Sequence, residues 1–178
     1  MSTRYFSALN FKNKTLVLEV GCGGGQYAFA PKASGEYVIY LDVDRPREKL
    51  QNFVRGDACH LPFIDRTFTE IYAKHVIEHL SEPLCFLQDS NRLLDTSGKI
   101  HIWCPNFLST NARRDPTHRH VFNFMKLRRI LKQNHFRPIF QEPDPGLSDR
   151  FPKAIVYLTK ILLLLLSNEL YVAGIKNN

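Results

Sequence analysis

Glu19, Asp42, Asp57 and His75 each stand at or just beyond the end of a short apolar run, and each can accept a hydrogen bond or exchange a proton. The runs (Leu16-Val17-Leu18, Val38-Ile39-Tyr40-Leu41, Phe53-Val54 and Ile71-Tyr72-Ala73) have the length of buried parallel strands. Ligands of an open parallel sheet bind in the crevice beyond the carboxyl ends of its strands, so these four groups describe one site. The first run closes in Glu19-Val20-Gly21-Cys22-Gly23-Gly24-Gly25. Glycines directly after a strand let the chain turn sharply and let a ligand approach with no Cβ in the way. The stretch from Gln26 to Ala30 can open a helix whose first amides face that ligand. A nucleotide-like cofactor is the expectation.

The glycine spacing narrows the ligand. A dinucleotide fingerprint wants GxGxxG; counted from Gly21, the position that needs the third glycine is Gln26. GxGxG with an acid two residues before the first glycine suits a ligand carrying an ammonium group, whose charge Glu19 offsets.

At this point the chain resembles the class I S-adenosylmethionine-dependent methyltransferases, of the methyltransferase-11 type. The resemblance runs motif by motif from Leu16 to Pro105 and more loosely beyond. It implies that Glu19, Gly21, Cys22, Gly23 and Gly25 form the turn beneath the methionine part of S-adenosylmethionine. Asp42, followed by Val43, matches the acid that grips both ribose hydroxyls, since one carboxylate accepts two hydrogen bonds side by side. Asp57 matches the carboxylate that takes the adenine amino group, with the Ala58 amide meeting a ring nitrogen. The stretch Phe68–Leu80, with His75 in it, resembles the motif that faces the reactive methyl. The implied fold is α/β and Rossmann-like: a doubly wound, mostly parallel seven-stranded sheet with helices on both faces and the last strand antiparallel.

Transfer from a sulfonium is an in-line displacement that depends on alignment in a dry site, with a base needed only if the acceptor must lose a proton. His75 is the first candidate base by position and equally a donor contact. His118 and His120, in Asp115-Pro116-Thr117-His118-Arg119-His120, are the second candidates, because the family often places acceptor-side loops after the fifth strand. His75-Val76-Ile77-Glu78-His79 also spells HxxEH, which on a helix would set two histidines on one face as zinc ligands. Pro83 follows too soon for a long helix there, so zinc hydrolysis is disfavoured and no metal is expected.

The elements that must position these residues follow from the pattern. Strands are predicted at Glu36–Leu41, Phe53–Arg55, Phe68–Ala73, Lys99–Cys104, Phe136–Gln141 and Glu169–Ile175, besides the first. Pro46 opens a short helix through Leu50. A second helix starts at Ser81-Glu82-Pro83, with Leu84, Leu87, Asn91 and Leu94 on one face and Phe86 and Leu93 beside it, and stops at Ser97-Gly98. A loop then leads to a helix from Asn123 to Asn134, and Glu142–Arg150 is another loop. Lys153–Leu166, the most apolar stretch, falls short of the roughly 20 residues of a membrane span and reads as a buried helix, with membrane-surface or dimer contact as the alternative. Strand and helix alternate, which argues a mostly parallel sheet in one domain over residues 1–178. Its cofactor half covers about 15–106 and its acceptor side 107–178.

Apolar content of 44% supports a folded core rather than a disordered chain. Four cysteines without a CxxC pair, and no leader-like start, fit reduced thiols in the cytoplasm. The net charge of +7 is local: residues 112–137 hold eight bases and one acid, and the remainder is balanced. Such a zone favours an anionic partner. No (D/N)PP(Y/F) follows the fourth strand, which argues against amino-group methylation of DNA bases or glutamine, and no cysteine there serves cytosine C5 chemistry. A small anionic or lipid-linked acceptor is favoured; RNA methylation, or a non-catalytic cofactor-binding or partner protein on the same fold, is the alternative.

Overall fold

β-branched and aromatic runs become strands and the 3.6-periodic stretches become helices, in the computed structural model described for residues 15–23, 36–47, 49–140 and 152–177. The elements are β1 (Thr15–Val20), β2 (Glu36–Asp42), β3 (Phe53–Arg55), β4 (Phe68–Lys74), α1 (Pro83–Leu93), β5 (Leu94–Pro105), α2 (Thr110–Arg114), α3 (Phe124–Gln133), β6 (Phe136–Phe140), α4 (Lys153–Leu166) and β7 (Glu169–Lys176). They form one seven-stranded sheet in the order β3-β2-β1-β4-β5-β7-β6. Pairing is parallel from β3 through β5, and β7 runs antiparallel to both β5 and β6. The strand order reverses between β1 and β4, which opens the crevice at the carboxyl ends.

Alternation sorts the side chains. Leu16, Leu18, Val20, Ile39, Leu41, Ile71 and Ile100 face the main core, where α1 adds Phe86 and Leu87 and α3 adds Leu127 and Leu131. Val17, Val38, Tyr40 and Tyr72 make a smaller cluster, with Cys22 beside them. Register pairs Val20 with both Leu41 and Ala73, and Asp42 with Arg55, so the ends of four strands come level.

Several expectations change. Residues 45–47, 49 and 50 are not helical; Asp42 Oδ1 accepts the Asp44 amide and Arg55 Nε donates to the Val43 carbonyl, which holds the chain in a turn instead. The buried face of α1 is Phe86, Leu87, Ser90 and Leu93, while Leu84 is exposed. The helix ends at Leu93, before Ser97-Gly98, because Leu94 pairs with Phe68 and starts β5 early. The basic loop contains α2. Most consequentially, α4 buries none of its residues: Tyr157, Leu158, Leu162 and Leu166 are all more than half exposed. The core face is already filled by α1 and α3, and α4 is tied on mainly at its carboxyl end, where Asn106 Nδ2 donates to the Leu165 and Ser167 carbonyls. With 14 residues it is not long enough to cross a membrane, and no described helix is. Gly24, Gly25 and the expected helix at Gln26–Ala30, with the loop Glu142–Arg150, lie outside the described residues.

Candidate active site

The glycine turn after β1 is built for close approach. Gly21 and Gly23 take φ of +74° and +60°, the left-handed region that side-chain-bearing residues rarely adopt. A Cβ on Gly21 would lie 2.3 Å from Val76 Cγ2. The turn is fastened to β2, with the Gly21 amide donating to the Leu41 carbonyl at 2.8 Å and the Gly23 amide to Asp42 Oδ2 at 2.7 Å. Asp42 is half-buried and its carboxylate is oriented by backbone donors on both sides, from Gly23 and Asp44. Asp57 is exposed and receives the Cys59 amide at 2.8 Å, with His60 Nδ1 at 3.6 Å. A crevice of about 680 Å³ joins Gly21, Gly23, Asp42, Val43, Asp57, Ala58 and His75, and adds His79 and Arg119. Its volume suits a nucleoside-sized ligand.

Glu19 is buried at the end of β1, beside Tyr40 and Tyr72 in the sheet register. Cys22 is also buried; desolvation, with the Asp42 and Glu19 charges nearby, pushes its thiol up to about 12, so it stays protonated and unreactive. Cys104 is held as a neutral thiol too, chiefly by burial.

His75 follows β4 with φ +53°, its amide donating to the Trp103 carbonyl. Its Nδ1 lies 3.2 Å from Glu78 Oε1 and its Nε2 2.8 Å from Glu169 Oε1. The hydrogen bond to Glu78, then the Glu78 and Glu169 charges, raise its pKa against the opposing effect of burial. Both ring nitrogens are thus committed to carboxylates, which suits a protonated anchor better than a base awaiting a proton. The turn Ile77–His79 replaces the helix that an HxxEH zinc site requires.

Segment 117–120 folds over that turn, the Arg119 and His120 amides donating to the Glu78 carbonyl at 2.8 and 3.1 Å. This brings His118 against His79, with ring centroids 4.8 Å apart. His120 turns aside, its Nε2 within 3.2 Å of the Ser81 carbonyl. A second cavity of about 520 Å³ lies here, lined by His75, His79, Arg114, Asp115 and His118. The basic zone is therefore divided: Arg114 and Arg119 line the two cavities, while Lys126, Arg128, Arg129 and Lys132 line a separate depression on α3. Arg119 and Glu78 went unnoticed as site residues in the sequence. Arg119 lies between two histidines that were singled out, and Glu78 follows a strand end within a matched motif.

The family model described as a methyltransferase domain matches residues 18–102, which takes in the glycine turn, Asp42, Asp57 and His75. A protein of Mycobacterium tuberculosis named as an S-adenosylmethionine-dependent methyltransferase is 29% identical over 126 residues, covering 65% of this chain and 46% of that one. Residues 18–102 thus match a methyltransferase domain, and this chain is similar to S-adenosylmethionine-dependent methyltransferases. A protein of Encephalitozoon cuniculi named as a methyltransferase is 32% identical over 107 residues, 57% of this chain and 51% of its own. The aligned stretch thus spans about half the length of these curated relatives. A methyltransferase of Archaeoglobus fulgidus of known structure, 23% identical, superposes with a TM-score of 0.67 over 93% of this chain and 88% of its own, and shares the methyltransferase fold.

Proposed function

We propose that this methyltransferase moves a methyl group from S-adenosylmethionine to a small anionic or lipid-linked acceptor seated over the ends of β4 and β5. The carrying observation is Asp42: a half-buried carboxylate at the end of β2, aimed by two backbone amides at the mouth of the crevice. The Gly21 turn supports the fit, because the space a Cβ would need is closed and the backbone conformation is one that glycine favours. In this reading Asp42 holds the ribose, Asp57 and the Ala58 amide the adenine, and the turn from Glu19 through Gly23 the methionine end, with Val43 on the crevice wall and buried Cys22 supporting the turn from the core. The cofactor supplies an electrophilic methyl on a sulfonium. The protein contributes alignment and water exclusion, with Val76 and Leu80 on the apolar wall of the crevice. His75 acts as a charged positioning group, and the candidates for a base are His118 and, further off, His120.

Arg119 at the crevice and Arg114 in the adjoining cavity favour an acceptor carrying phosphate or carboxylate. The exposed apolar face of α4 favours a lipid-linked acceptor met by peripheral membrane contact, and vesicle sedimentation with and without Leu158→Glu tests this against a homodimer contact. The exposed bases of α3 are the one feature favouring RNA, which salt-dependent retention of RNA, lost in an Arg128→Gln/Arg129→Gln variant, would reveal. The decisive experiment pairs calorimetry of S-adenosylmethionine binding in wild type and Asp42→Ala with release of S-adenosylhomocysteine across anionic acceptors. Binding lost in Asp42→Ala together with turnover supports the reading. Binding without turnover over a broad panel supports a non-catalytic cofactor-binding protein.

A further inference from the structure

Glu78, His79 and His118 bring one ligand atom each to within 4.8 Å of one another, a group of three metal-binding side chains among the described residues. Glu78 is 1% exposed; its Oε1 is held by His75, and its Oε2 has no hydrogen-bond partner. An ionised carboxylate oxygen buried without a donor is costly, and a cation is the ordinary way to satisfy it. Both histidines are preset as ligands. His79 Nδ1 lies 3.2 Å from the Thr117 carbonyl and His118 Nδ1 3.3 Å from the Ala112 carbonyl. A carbonyl only accepts, so each Nδ1 carries a proton, and in the neutral ring Nε2 is then the nitrogen with the lone pair; a metal-bound histidine is typically held this way from outside. Asp115 Oδ1 is taken by Thr117, while Oδ2 stands 3.7 Å from His118 Nε2.

We propose that Glu78, His79 and His118 bind a divalent transition-metal ion, with Zn²⁺ the favoured occupant; with the ion bound His118 is a ligand and His120 is the candidate base that is left. Two imidazoles and one carboxylate suit zinc and disfavour calcium or magnesium, which prefer all-oxygen sets. The expectation of no metal rested on the missing HxxEH helix; the actual trio joins the turn after β4 to the segment after α2, which no local motif encodes. Since His79 lines both cavities, a bound ion would lie beside the acceptor side and could polarise an oxygen of the acceptor. That last step rests on the proposed function, whereas metal binding does not.

The test is a Zn²⁺ titration of the chelator-treated full chain, with Co²⁺ absorption as a spectroscopic check and S-adenosylmethionine affinity measured in parallel. One equivalent of Zn²⁺ should bind, with affinity falling roughly tenfold or more in His118→Ala and in Glu78→Gln. Unaltered S-adenosylmethionine affinity in His118→Ala would show that the fold is intact, since Glu78→Gln alone could loosen a buried turn. No stoichiometric binding by wild type, or wild-type affinity retained in both variants, overturns the site. Loss of cofactor binding in Asp42→Ala with zinc retained would separate the two proposals.

Discussion

The two sides of the crevice treat their acids in opposite ways. On the β1–β3 side, Asp42 and Asp57 reach solvent, and each is oriented by amides of its own or the neighbouring turn. On the β4–β5 side, Glu78 is enclosed, shares one oxygen with His75 and leaves the other without a donor. Water can satisfy the first pair until a ligand arrives, so that side is stable when empty. On the second side the enclosed Glu78 Oε2 has no donor among the protein groups around it. The same strand-end geometry thus yields a docking surface on one side and an unfinished electrostatic site on the other.

Removing Asp42 tests the contrast hardest. Asp42→Ala should lower S-adenosylmethionine affinity by about 100-fold, the loss of two charge-assisted hydrogen bonds, while zinc affinity by calorimetry stays within about twofold. Equal loss of both ligands would mean that the sides are one unit. Next is Gly21→Ala, which meets Val76 across the divide in a left-handed backbone. It should destabilise the protein by about 2 kcal/mol in urea unfolding, and Val76→Ala added to it should recover part of that, since the clash is relieved and the backbone strain is kept. Arg119→Ala should raise the Michaelis constant for an anionic acceptor about tenfold, a charge-assisted contact of ~1.4 kcal/mol. Arg128→Gln/Arg129→Gln, in the separate depression on α3, should change it less than about threefold; the reverse ranking would move the acceptor to α3. The smallest effect is expected at α4, where Leu158→Glu should shift stability by less than about 0.5 kcal/mol, because Leu158 is 65% exposed.

The cofactor side was legible because its signals are local. An apolar run, a glycine turn and an acid at the next strand end specify Gly21, Gly23, Asp42 and Asp57 within a few residues of each other or at fixed strand spacing. β3 was read to the residue, and α3 was read within one at each end, for the same reason: strand preference and helical periodicity are written in neighbouring positions. The acceptor side was not legible in that way. His79 and His118 are 39 positions apart, and hydrogen bonds linking segment 117–120 to Glu78, His79 and Ser81 make them neighbours. α4 was misread for a related reason, since its leucines record an apolar segment and not whether the sheet face beneath has room.

By itself the sequence determined the seven strands and the three longer helices, the glycine turn, the acids at or just beyond the ends of β2 and β3, and the family that they resemble. These depend on backbone conformation and short-range spacing, which residue types fix directly. The tertiary structure alone decided that both nitrogens of His75 are occupied, that the basic zone is split between the cavities and α3, that α4 stands uncovered, and that Glu78 meets two histidines with an oxygen to spare. Each of these depends on how distant segments pack and on what that packing hides from water, and burial sets the cost of an unpaired charge.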